Sequence, residues 1–482
     1  MAGHCSLRSS LAPLLLLLGA FAAGCQSQAV MVRIEPDRVI KDVRSHPLGT
    51  HPPLWVSKPD QTLAELNQLG VRYLRFGDQR YSFWSEPPWE SPRRVTIQRG
   101  NRAWPAADRQ WVEPDGVHFR PERVTDFDQF MALARAAHAE PLIITAYNSF
   151  YTPPTRQVTT PPRETFFQAT EEWVRYANIK KQYGVHYWEI GNELWNPKEG
   201  GQPIATDVAD DLAELVPRLK AIDPSIKILV SGNSYAWFKD LLQAAPQIDY
   251  LNFSWYLSDM PGGYNTFRTR SSLLETSTAF KGLTKALREM DPADRDRIGI
   301  IITEFNAIDW SNTWPNVNDL GHALCVFQQA GEALSDPRIH LALHWTTQWS
   351  NPPWTSATDD RSEFNSVRQD GSLAANGLAI AAWGDNLQDE FVGASSSAPQ
   401  VRAWATRTRD GRQLNVFLLN KDFAAYPLQL SGLTTNRPPR ERFELTGRGI
   451  YDQRPTWHAA SVDGPIVLPP TSVTLLKFDL TR

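Results

Sequence analysis

Between residues 50 and 350 the chain alternates short apolar runs with amphipathic stretches. The runs at 71–76, 141–146, 185–190, 226–230, 250–253, 298–303 and 339–345 are rich in Val, Ile, Leu and aromatic residues, as strands buried on both faces are. A further run at 48–54 brings the count of predicted strands to eight. Helical patterning fills the gaps. One stretch covers 125–139, with Thr125 or Asp126 as cap and Phe127, Phe130, Leu133 and Ala137 along one face. Others cover 166–183 and 205–222. Repeated strand–helix units of this number predict an α/β fold, a (β/α)8 barrel. A doubly wound sheet is the alternative, but no glycine-rich phosphate loop follows the first strand.

The texture changes near residue 385. The segment 401–408, the dipeptide Asp410-Gly411 and the segment 414–419 read as a β-hairpin, and 472–478 reads as a last strand. The expected organisation is a targeting segment at 1–25 and a strand segment at 26–48 that is a candidate member of the β-domain. A catalytic barrel at 49–385 and a β-sandwich at 386–482 follow. In the first segment Arg8 precedes the apolar stretch 11–23, too short to span a bilayer and of the form of a secretory signal. It ends Ala22-Ala23-Gly24-Cys25, similar to a bacterial lipobox with Cys25 as the lipidated residue, although Ala22 stands where Leu is usual. The alternative is an ordinary cleaved signal. Either way the protein is expected to be exported, with a membrane reached only through lipid at Cys25. Cys5 lies in the segment that would be removed, and Cys325 sits in an apolar helical run as a buried small hydrophobe, so no disulfide framework exists.

Composition narrows the partners. With 482 residues, 41% hydrophobic, there is ample chain for one large and one smaller domain. A net charge of -4 and the lack of a basic run argue against a nucleic-acid partner. The 18 Trp are the unusual feature. Trp84, Trp89, Trp104, Trp111, Trp195, Trp310, Trp314, Trp349 and Trp354 fall in Pro- and Gly-rich stretches that read as loops. Such rings either stack on sugar faces around a cleft or anchor the loops to each other.

Candidate chemistry belongs at the C-terminal ends of the strands. The fourth predicted strand ends Trp188-Glu189-Ile190-Gly191-Asn192-Glu193, and the seventh ends Thr303-Glu304-Phe305-Asn306. Glu193 and Glu304 then face each other across the mouth. A lone strand-end glutamate is usually a salt-bridge partner; two on strands four and seven, with Asn before one, fit glycoside hydrolysis. Retention of configuration needs two carboxyls about 5 Å apart, and inversion a wider gap. The acid needs an apolar or anionic setting, for which Trp188 and Trp195 are the neighbours in sequence; the nucleophile needs donors or a cation. Strand alternation places Glu189, Gly191 and Glu193 on one face, so Glu189 also points inward and requires a partner, for which Arg75 is the candidate. Asn148, after strand three, either lines the cleft or caps a loop, and Trp345, at the end of strand eight, either floors the sugar site or packs the barrel. The inserts at 82–111 and 309–317 would wall the active face.

The Trp-Glu-Ile-Gly-Asn-Glu and Thr-Glu-Phe-Asn segments resemble the acid/base and nucleophile motifs of clan A glycoside hydrolases. The likeness extends over most of the chain and is strongest to the β-xylosidase and α-L-arabinofuranosidase families, whose nucleophile segment often reads Thr-Glu-Trp-Asn. It implies a retaining enzyme with Glu193 as acid/base and Glu304 as nucleophile. It further implies Asn192 on the sugar 2-hydroxyl, Arg75 and Tyr256 on the nucleophile, and plant or algal carbohydrate as substrate. The sequence departs at Ser254, where those relatives often carry His. No cofactor is implied, and no metal-binding or serine-hydrolase motif is present. The competing readings are a glycan-binding surface lipoprotein without activity and an endo-acting glycanase of the same clan.

Overall fold

The computed structural model describes residues 29–53, 59–77, 81–85, 95–99, 102–103, 111–112, 118–119, 127–145, 147–148, 163–196, 203–348, 364–368, 370–433 and 438–480. For the short strands between 81 and 119 it describes the backbone. Eight parallel strands close a barrel in chain order: Leu48–Thr50, Tyr73–Phe76, Glu140–Thr145, Tyr187–Ile190, Lys227–Ser231, Tyr250–Leu257, Gly299–Asp309 and Ile339–His344. They are numbered one to eight below. Strand eight pairs with strand one, Ala342 opposite Leu48, which removes every sheet edge. The predicted α/β barrel with a separate β-domain is what forms. Strands six and seven run past their predicted ends, to Leu257 and Asp309. Strand eight stops at His344, so Trp345 follows the strand instead of closing it.

Helices form where the apolar stripe is continuous. Ala205–Ile222 matches its predicted span and buries Val208, Leu212, Leu215 and Leu219. Phe127–Ala136 buries Phe127, Phe130 and Leu133; its expected caps, Thr125 and Asp126, lie outside the described residues. The predicted helix at 166–183 is an α-helix over Arg163–Val174 that continues as a π-turn over Arg175–Lys180.

The barrel interior is layered. Tyr73, Leu142, Leu229, Ile301, Leu341 and Leu343 form an apolar plug, with Tyr187 and Tyr250 packed against it. Two residues further along strands two, four, six and seven stand Arg75, Glu189, Asn252 and Thr303. Alternation makes these the polar floor of the mouth.

The β-domain is one hydrogen-bonded, mostly antiparallel sheet of nine strands. Val30–Asp42 lies within it, antiparallel to Glu390–Ser396 and parallel to Tyr426–Ser431. Val401–Arg407 and Gln413–Asn420 form the predicted hairpin in continuous register, and the predicted last strand spans Ser472–Asp479. The helices Leu320–Ser335 and Ala375–Gly384 are buried almost all round, as helices between two layers must be. They join barrel to sheet: the Trp383 ring stacks on Phe417 at 4.1 Å, and its Nε1 donates to the Phe327 carbonyl at 3.0 Å. Gly331 lets this happen, since a Cβ there would sit 2.8 Å from both Trp383 and Trp404. Cys325 is buried in the first of these helices, and burial pushes its thiol pKa upward. Cys5, Cys25 and the rest of the predicted signal lie outside the described residues. Among the described residues no helix is long and apolar enough to cross a membrane.

Candidate active site

Arg75 organises the mouth. Its guanidinium, fully buried at the end of strand two, donates from Nε and Nη2 to Glu189 at 2.7 and 2.8 Å. Nη1 donates to Glu304 at 2.7 Å, and Nη2 also reaches the Asn192 Oδ1 at 2.7 Å. Burial alone would lower the pKa of Arg75; the carboxylates of Glu189 and Glu304 more than offset this and hold it above its ordinary value. Glu189 is pushed up by burial, against the pull of Arg75. Asn252 donates to the same carboxylate at 2.8 Å and to the Thr303 hydroxyl at 3.0 Å. Glu189 is therefore walled in by donors, the arrangement a buried carboxylate requires.

Strand seven presents Glu304 through a bulge. Phe253 pairs with Ile302, but the next residue, Ser254, pairs with Glu304, so Thr303 is the extra residue. Ile301 faces the barrel interior and alternation alone would turn Glu304 away. The added residue re-aims the strand, so that Thr303 meets Asn252 and Glu304 also turns in. There Glu304 receives Arg75 on one oxygen and the Tyr256 hydroxyl, at 2.6 Å, on the other. Burial and then the carboxylates of Glu304 and Glu193 raise the Tyr256 phenol well above its ordinary pKa, so it stays protonated and donates.

Glu193 is aimed by a turn. Strand four ends at Ile190, after which Gly191 takes φ +69° and Glu193 φ +44°. The expectation that alternation continues from Glu189 through Glu193 is corrected here: the backbone is no longer extended. Gly191 has no substitute, since a Cβ would lie 2.5 Å from the Asn148 Oδ1. Asn148 is buried and spans the turn, accepting from the Asn192 N–H at 2.9 Å and donating to the Asn192 carbonyl at 2.6 Å. It holds the loop. Asn196 donates to the Glu193 carboxyl at 2.9 Å. Trp188 does not flank Glu193: alternating with inward Glu189, it points to the helices and packs on Trp173 at 5.8 Å. Trp195 is half-buried beside the turn, with its Nε1 buried and lacking a hydrogen-bond acceptor among the described residues.

An aromatic wall borders Glu304. Trp345 is half-buried just past strand eight and meets Tyr256 edge-on at 6.0 Å and Phe364 at 4.8 Å. Trp310 meets Tyr256 at 5.4 Å and remains 59% exposed. Asn306, the last residue of the Thr-Glu-Phe-Asn segment, donates to the Trp345 carbonyl at 2.6 Å. The loop that carries Trp310 closes on Asp309, whose carboxylate accepts from the N–H groups of Ser311, Thr313 and Trp314. Trp314 is an anchor, buried against Phe267 and His322. Trp84, Trp89, Trp104, Trp111, Trp349 and Trp354 fall outside the described side chains. Sequence reasoning missed Asn252, Thr303, Asn196, Asn306 and His51, whose Nε2 meets the Thr303 carbonyl at 2.9 Å. For Asn252 a signal existed: an amide at the centre of an apolar strand.

A closed parallel barrel joined to a β-domain is the fold this chain shares with solved α-L-arabinofuranosidases. The α-L-arabinofuranosidase of Thermotoga maritima, solved with arabinose, superposes with a TM-score of 0.68 at 18% identity, covering 94% of this chain and 100% of the other. A glycoside hydrolase family 44 xyloglucanase from Paenibacillus polymyxa gives 0.64 at 12% identity, with 94% and 100% covered. In sequence, α-L-arabinofuranosidase C of Emericella nidulans is 33% identical over 63 residues, only 12% of either chain. No family model matches the chain.

Proposed function

We propose that the protein is a retaining glycoside hydrolase with Glu304 as nucleophile and Glu193 as acid and base. The observation that carries this reading is the grip on Glu304. One oxygen is held by a guanidinium and the other by a phenol, and Glu193, in the turn after strand four, lies close enough to raise that phenol's pKa when ionised. A carboxylate fixed at both oxygens is suited to in-line attack on a carbon. In the first step Glu193 gives its proton to the leaving oxygen as Glu304 bonds to the anomeric carbon, releasing the aglycone. In the second, water attacks that carbon, its proton passes to Glu193, and the Glu304 ester bond breaks. Asn192, oriented by Arg75 and Asn148, is placed to meet the sugar 2-hydroxyl, and Trp345 to border the ring.

For the substrate we propose an α-L-arabinofuranoside or β-xyloside from plant or algal carbohydrate, in keeping with the arabinofuranosidases it resembles. An endo-acting glycanase is the second reading, favoured by the likeness to the xyloglucanase over 94% of the chain. A panel of 4-nitrophenyl glycosides, followed by polysaccharides, separates the two. Proton NMR of the first product is expected to show the substrate's own anomeric configuration; the opposite anomer would exclude the double displacement. We also propose export with lipid at Cys25, supported by the pattern at residues 8–25; it predicts that labelled palmitate enters the wild type and not Cys25→Ser, and label in both would refute it.

A further inference from the structure

Among the described residues, three aromatic side chains are strongly exposed: Trp310 at 59%, Phe423 at 52% and Tyr451 at 76%. All three stand on the face of the molecule that carries Glu193 and Glu304, although two of them belong to the β-domain. In a (β/α)8 barrel that face is formed by the segments after the strands and by the starts of the helices that follow. Trp310 follows strand seven. The Phe423 ring packs at 5.6 Å on Tyr264, which begins the helix Tyr264–Thr269 after strand six. Tyr451 lies between Ile450 and Asp452, whose carbonyls accept the N–H groups of Gly321 and Leu320 at 2.7 and 2.9 Å. Those donors open the helix after strand seven. The next carbonyl, of Gln453, accepts from Arg368 at 2.9 Å, in the segment after strand eight. Two loops of the β-domain are therefore docked on the rim of the barrel mouth.

Both loops are braced. Asp422 accepts from Arg268 at 2.7 Å, from the Tyr426 hydroxyl at 2.5 Å and from the Phe423 N–H at 2.8 Å. Asp452 accepts from the N–H groups of Arg448 and Arg454 at 2.8 and 3.0 Å. Held this way, each ring is displayed on a set backbone. The rings are also separate, with Arg268 over Phe423 at 5.1 Å and an exposed Arg448 near Tyr451. A second protein copy requires a contiguous apolar patch, which spaced rings among charges do not make. Spaced flat rings suit a chain of sugars, each offering a C–H face and a hydroxyl edge.

We infer that Phe423 and Tyr451 are sugar-stacking positions for a polymeric glycan that leaves the catalytic mouth across the β-domain. The inference rests on the glycosidase reading and assigns the β-domain a part in substrate binding. The test compares wild type with the Phe423→Ala/Tyr451→Ala double variant on 4-nitrophenyl α-L-arabinofuranoside, wheat arabinoxylan and xyloglucan. On the polymer that is cleaved, kcat/KM is expected to fall roughly fivefold or more, through KM, as the loss of two aromatic contacts implies. The aryl glycoside, which ends at the mouth, should keep its kcat/KM. An equal fall on both, or none on the polymer, overturns the inference. Electrophoresis through gels containing each polymer reads binding without turnover, so failure of the catalytic reading is seen separately. Wild type should be retarded and the double variant less so. Equal migration of the two, in any outcome of the activity assay, overturns it. So does a wild-type dimer in sedimentation that the double variant abolishes while retardation is unchanged.

Discussion

One guanidinium serving two carboxylates is the feature from which the residue-scale behaviour follows. Replacing Arg75 with Met leaves Glu189 buried with the Asn252 amide in place of a charge. Breaking a buried pair in this way costs about 3–5 kcal/mol, measurable by urea unfolding; a loss below about 1 kcal/mol would show that the pair is dispensable. Tyr256 acts more locally. Tyr256→Phe removes a donor to a carboxylate, worth about 1.5–3 kcal/mol, so kcat/KM should fall roughly tenfold to a hundredfold with the melting temperature nearly unchanged. An unaltered rate would mean that the phenol plays no part in holding Glu304. The pairing of Arg75 with Glu189 was legible in the sequence, because a charge at the end of an apolar strand demands an opposite charge. Asn252 and Asn148 were harder to place. An amide donates and accepts, and nothing local says which neighbour it will find.

Elements turn these residues into a site, and fewer of their details are legible in the sequence. The eight strands and the helix Ala205–Ile222 were visible because their apolar runs are long and their period unambiguous. The bulge at Thr303 was not, since the run Ile300-Ile301-Ile302-Thr303-Glu304 has no Gly or Pro to mark it and only pairing with strand six reveals the extra residue. The turn after strand four was not legible either. Alternation from Glu189 carries through Gly191 to Glu193 in the sequence, whereas Gly191 at φ +69° breaks the extended backbone. Gly191→Ala is a test of that turn. It combines a positive φ with a clash against Asn148, so stability should fall by about 1–2 kcal/mol or more and activity with it. Wild-type activity in this variant would show that the turn does not aim Glu193. The Trp-rich inserts mark the limit of the reading. Trp310 and Trp314 lie four residues apart in one loop, and only docking on Tyr264, Phe267 and His322 distinguishes the anchor from the exposed ring.

At the scale of the whole molecule, barrel and β-domain share a buried layer, the helices Leu320–Ser335 and Ala375–Gly384. The join between them was not legible, because each helix reads simply as apolar and the sequence does not say what covers its outer side. Burial in the barrel also sets a response to acid. The pKa of His344 is lowered by burial from 6.5 to about 3, and that of His51 is held well below its usual value, by burial first and then by Arg75. The unfolded chain takes these protons first. The stability drawn from the neutral rings is thus complete above pH 6.5 and declines as pH falls toward the folded value, by about 1.4 kcal/mol per unit for each ring. Unfolding free energies at pH 7.5, 6.5 and 5.5 should show this decline, reduced by one proton's worth in His344→Leu; identical slopes would remove His344 from the account.

Covalent bonding of Glu304 to the sugar, with Glu193 moving the proton, is tested in Glu304→Ala supplied with azide. With an activated aryl glycoside of the preferred sugar, this variant is expected to lose turnover. Azide should then restore aryl release by taking the vacated position, yielding a glycosyl azide of inverted configuration. Full activity of Glu304→Ala without azide would contradict the account.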